Sequence, residues 1–92
     1  MSDREIIGIL NELGIDINKM NFSFNSLKKG IKVEMEHGKK SGLTNITDNN
    51  LEMTMKIALA HLFEFPDYYE RLEEMEKNAK EHWFKQNIKI IK

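Results

Sequence analysis

The sequence contains no cysteine, so it can build no disulfide framework and offers no thiolate to a zinc ion or to nucleophilic catalysis. Its single proline is Pro66, and no linker, internal repeat or low-complexity tract interrupts the chain. No apolar run approaches the roughly 20 residues that span a bilayer. The opening "MSDREIIGIL" has no basic stretch leading into a long apolar one. Neither a membrane span nor a signal peptide is expected, and the expected location is cytoplasmic. A surplus of one charge is lacking too: the net charge is -1, where a nucleic-acid binder is expected to be clearly basic. Lys28, Lys29 and Lys32, with Lys39 and Lys40 beyond, form a local basic patch, but the only arginines are Arg4 and Arg71. Such a patch reads as solubilising surface. Glycine-rich phosphate loops and nucleophile elbows are absent as well. Asp48-x-Asn50-x-Glu52 starts like a calcium loop but puts Met53 at the glycine position and Leu59 at the bidentate carboxylate, which excludes it.

What is present is helical periodicity. With 92 residues, 40% hydrophobic and 32% charged, the chain has the makings of one ordinary globular domain. A domain this size buries only about 60–65% of its unfolded surface, so its stability is marginal without a partner or ligand. The pattern predicts an all-α, single-domain, four-helix fold with irregular bundle packing over 1–92. The expected helices are about 3–13, 24–38, 48–63 and 66–85, with the tail 86–92 unassigned. Ser2-x-x-Glu5 is a capping box and Gly14 a stop. Gly38 is the expected end of the second helix. Thr47 is the expected N-cap of the third, with Asp48 in its first turn and Ile46 stapling onto Leu51. The third helix should end before Pro66, which then opens the fourth. Along that last helix Tyr68, Leu72, Met75, Ala79 and Trp83 form the expected inner stripe, and Glu70, Glu73, Glu74, Lys77 and Glu81 the solvated face. Met35, Met53, Met55 and Met75 stand at core-compatible positions.

Polar residues fall on the inner faces. At about 100° per residue, Asn25, Lys28, Lys29, Lys32 and Glu36 share one side of the second helix, whereas Glu34 and His37 lie among its apolar residues. On the third helix His61 projects nearly opposite Glu52 and Lys56, with Glu64 at the edge of the buried face. Glu34-x-x-His37 and His61-x-x-Glu64 are therefore two pairs at a spacing that puts both members on one face. Burying such groups unpaired costs several kcal/mol each. Glu-x-x-His pairs also hold the metals of carboxylate-bridged di-iron and di-manganese bundles. Glu34, His37, His61 and Glu64 together suit iron, manganese or zinc, with Glu76 as a further carboxylate. They provide fewer ligands than a full dinuclear set, so one metal, or a site shared by two subunits, is the natural form. In a plain antiparallel hairpin His37 and His61 would lie roughly 15 Å apart. The same side chains also suit a hydrogen-bond network, His61 resting against Glu64 and the hydroxyls of Tyr68 or Tyr69.

The blocks "GIKVEMEHG" and "TNITDNNLEMTMKIALAHLFEFPDYYERLEEME" resemble a family of small uncharacterised proteins of bacteria and their phages. The matching patterns are G-x-x-V-E-x-E-H-G, T-N-x-T and K-I-A-L-A-H-L-x-E-F-P-D-Y-Y. The resemblance covers roughly Gly30 to Glu76 and implies that Glu34, Glu36, His37, His61, Glu64, Pro66, Asp67, Tyr68 and Tyr69 belong to its signature. It implies no activity. Asn49-Asn50 departs from it, since acids are expected after Asp48, and this weakens a cation-binding reading of the 44–50 loop.

Two functional readings follow. In the first, the chain is a small non-catalytic binding protein whose pocket of Glu34, His37, His61 and Glu64 holds a divalent transition metal. In the second it is a structural or protein-interaction module, phage- or host-associated, a homodimer or bound to another protein. There the same residues lock the core and the protein acts through an outer face such as Tyr69 and the fourth helix. An oxidase or hydrolase with a di-iron centre would need more ligands than one chain offers.

Overall fold

The computed structural model describes residues 1–40 and 50–85, except for the side chains of 37–40 and 85. These residues form four α-helices: α1 Asp3–Glu12, α2 Phe24–Lys40, α3 Leu51–Glu64 and α4 Tyr68–Lys85. A single 3₁₀ turn, Ile17–Lys19, lies between α1 and α2, and there is no strand among the described residues. The chain is thus a small all-α fold of the expected class. The tail 86–92 and the stapling residue Ile46 lie outside the described residues.

Each helix end has a local cause. Ser2 and Glu5 form the reciprocal capping box of α1. At its other end Gly14 takes φ 72°, a conformation that costs glycine nothing. That reversal lets Gly14 N–H donate to Asn11 O at 3.1 Å and Ile15 N–H to Leu10 O at 2.9 Å, the paired bonds of a Schellman stop. Ser23 Oγ accepts from Ser26 N–H at 3.1 Å to start α2. This helix does not stop at Gly38 but runs on to Lys40; one glycine costs a helix only about 1 kcal/mol, which its neighbours absorb.

The third helix begins later than the sequence suggests. Its N-cap is Asn50, whose side chain accepts from Met53 N–H at 2.9 Å. Asparagine outranks threonine at this position; Thr47 and Asp48 lie outside the described residues. Phe65 ends α3 in extended geometry, φ -138° and ψ 113°, as a residue before proline must. Pro66 and Asp67 then occupy a turn closed by Tyr68 N–H to Phe65 O at 3.0 Å. Proline is therefore the second residue of that turn, where its fixed φ is favoured, and α4 starts two residues after it.

The core consists of Ile6 and Leu10 from α1, Phe22, Leu27 and Ile31 at and along α2, Met55, Ala58, Leu59 and Leu62 from α3, and Tyr69 from α4. Thr54 is the one buried polar residue among those described, and its hydroxyl donates to Asn50 O at 2.7 Å. The fourth helix differs from expectation in phase. Tyr69, not Tyr68, is its fully buried aromatic, while Met75 and Trp83 are exposed. Beginning at Tyr68 rather than Pro66, α4 turns Tyr69, Leu72, Glu76 and Ala79 inward. Met53 is also exposed, and of the four methionines placed in the core by periodicity only Met55 is fully buried. No helix among the described residues is long and apolar enough to cross a membrane.

Candidate functional site

The polar centre of the molecule joins three helices, and it begins with a glycine. Gly30 is buried on α2, and a Cβ there would run into the ring of Tyr69, with Cδ2 and Cζ both at 2.9 Å. Its bare backbone lets the tyrosine lie flat against α2. One turn further along α2 stands Glu34, and the Tyr69 hydroxyl donates to its Oε2 at 2.8 Å. His61 of α3 completes the group: Nδ1 is 3.1 Å from the same Glu34 oxygen and 3.2 Å from the Tyr69 hydroxyl.

Proton positions follow from this geometry. Tyr69 has one hydroxyl hydrogen, and it goes to Glu34. Nδ1 of His61 must then carry a hydrogen of its own, because two lone pairs 3.1 Å apart would repel. Glu34 Oε2 accepts twice, and in the neutral ring the lone pair of His61 is left on Nε2. The Tyr68 ring stacks on the imidazole, centroids 4.2 Å apart and planes 15° from parallel, while Tyr69 meets both rings edge-on. The Glu34 side chain is only 12% exposed and that of His61 31%. Burial, with the adjacent Glu34 carboxylate, pushes the Tyr69 phenol far above its ordinary range. Tyr69 therefore stays a neutral donor at any ordinary pH.

Of the two expected intrahelical pairs, Glu34 with His37 lies partly outside the described residues, and His61 with Glu64 shows no bond among them. Glu34 and His61 meet across helices, whereas Glu64 is exposed and makes no hydrogen bond or ion pair among the described residues. The side chain of His37 lies outside the described residues. Asp67 is exposed and accepts from Arg71 Nε at 2.7 Å, and Glu76 is half-buried on α4. No group of three or more His, Asp or Glu side chains able to hold a metal occurs among the described residues.

The sequence places Glu34 and His61 inward and offers His61 the hydroxyl of Tyr68 or Tyr69, but its periodicity did not single out Gly30. The signal was available: a glycine inside the apolar arc of a helix marks the close approach of a bulky neighbour. The basic patch is also partly spent inside the fold, Lys28 pairing with Asp3 at 2.9 Å and Lys29 with Glu73 at 2.5 Å. Among the described residues, one cavity of about 450 Å³ opens around Leu10, Gly14 and Ile17, and another of about 270 Å³ between Leu13, Leu59 and Phe63.

Residues 6–78 match the model of a family described as "Protein of unknown function (DUF5661)". No curated protein and no solved structure matches the chain.

Proposed function

The chain belongs to that family of unknown function, DUF5661, and from this premise we propose that it is a small helical interaction module, not an enzyme. The observation that carries the reading is how Glu34, His61 and Tyr69 are used: they are bonded to one another at 2.8–3.2 Å. Such a closed network fixes three helices in one arrangement. It leaves the outer surface for function, and that surface carries two large aromatics at the far end of α4, where Trp83 is 46% and Phe84 80% exposed. Large exposed aromatics are favoured anchors of protein interfaces. The resemblance of the K-I-A-L-A-H-L-x-E-F-P-D-Y-Y block to small proteins of bacteria and phages supports a phage- or host-associated module.

The rival reading, one metal held jointly by Glu34, His37, His61 and Glu64, finds less support. Glu34 is bonded to the nitrogen of His61 through which it would have to share a metal, and Glu64 stands apart. The interaction reading is tested with a partner identified by crosslinking in cells and then purified. Changing Trp83 and Phe84 to serine should weaken its binding at least tenfold in calorimetric titration, with an unchanged thermal melt. Equal binding by the double variant would refute the proposal.

A further inference from the structure

The smaller cavity, about 270 Å³, lies where the chain leaving α1 meets α3. Leu13 and Ile15 line it from one element, Leu59, Ala60 and Phe63 from the other, and Lys56 is the one charged residue among the described residues around it. Its walls are already in place. Phe63 is 56% exposed, yet its ring rests on buried Phe22 with centroids 5.8 Å apart and planes at 57°. Ile15 is held by the reversal at Gly14, its N–H donating to Leu10 O at 2.9 Å. Lys28 and Lys29 are paired with acids, whereas Lys56 makes no ion pair among the described residues. An open apolar hollow thus carries one uncompensated ammonium in its lining.

We propose that this hollow binds a free medium-chain fatty acid, with its carboxylate on Lys56 Nζ and its chain against Ala60, Phe63 and Ile15. The charge selects an anion, and the rest of the lining selects a hydrocarbon chain. Ile15 also lines the larger cavity, where Ile7, Leu10 and Ile17 continue the apolar surface. A chain that outgrows the first hollow therefore has apolar surface to follow. The charge around the larger cavity is Asp16, which repels a second carboxylate and favours acids with a single anionic end. No residue of α4 lines either cavity, so this site is independent of the Trp83 and Phe84 surface.

The test titrates isotope-labelled full-length protein with decanoate below its micellar range, followed by amide NMR shifts and calorimetry. Saturable shifts at Leu13, Ile15, Ala60 and Phe63 are expected. Decanol should bind about 2–5-fold more weakly than decanoate, the range of one exposed ion pair, and Lys56→Gln should erase that difference. Dodecanoate should bind roughly tenfold tighter than decanoate, and the ten-carbon dicarboxylate more weakly than either. Ala60→Trp fills the hollow from an exposed position of α3 and should abolish binding with unchanged helicity. The proposal is overturned if those four amides stay unmoved, if decanol binds wild type as well as decanoate, or if Ala60→Trp binds like wild type. Binding to anionic phospholipid vesicles without binding to free decanoate also overturns it, because the ligand would then be a membrane surface.

Discussion

At Gly30 a single hydrogen atom decides whether Tyr69 can reach Glu34. Alanine is the better helix former by about 1 kcal/mol, so Gly30→Ala would stabilise a free-standing helix. Here the new methyl meets a rigid, buried ring. The variant should lose about 1–3 kcal/mol on urea denaturation. In a Tyr69→Leu background, where no ring lies over α2, the same change should cost little or help. Tyr69 also sets a pH dependence. An unfolded tyrosine gives up its proton near pH 10, whereas burial and Glu34 hold the proton on folded Tyr69 well beyond that. Above pH 10 the unfolded chain binds fewer protons than the folded one, so stability must fall as pH rises. Denaturant midpoints from pH 8 to 11 should fall more steeply for the wild type than for Tyr69→Phe, and parallel curves would contradict the assignment. How far this centre was legible follows from the same residues. The inward placement of Glu34 and His61 is written in their own helices as periodicity. Their bond to each other is not, because it depends on how α2 and α3 pass, and helical phase carries no such information. The choice of Tyr69 over its neighbour Tyr68 depends on where α4 begins.

Among the elements, beginnings and ends follow local chemistry, and local chemistry was readable where one candidate stood alone. The Ser2–Glu5 box and the Gly14 reversal had no competitors. At α3 the expected cap was Thr47, and the bond from Met53 N–H shows it to be Asn50, three residues on. Asn50, which looked like a departure from the family pattern, is in fact the cap. Asn50→Ala should lower stability by about 1 kcal/mol, with helicity otherwise retained by circular dichroism. Gly38 misled for the opposite reason: a glycine can end a helix but does not have to. Pro66 fixed the end of α3 through Phe65, yet its own turn pushed the start of α4 two residues on, and that shift changed which of its residues face the core.

For the whole molecule, the distribution of buried groups is uneven. Two or more residues from each of α1, α2 and α3 enter the core, but α4 contributes Tyr69 alone, with Tyr68 and Leu72 packed beside it. Local stability tracks buried contacts. Amide exchange should therefore be slow in α2, α3 and the first turns of α4, and faster by orders of magnitude beyond Met75. Uniform protection along α4 would contradict this distribution. A rod gripped at one end is a cantilever. From Tyr69 to Trp83 is roughly 21 Å at 1.5 Å per residue, so a tilt of about 5° where the tyrosine rests on Gly30 sweeps the indole by about 2 Å. Whatever nudges the Glu34–His61–Tyr69 contact would be magnified at the aromatic tip.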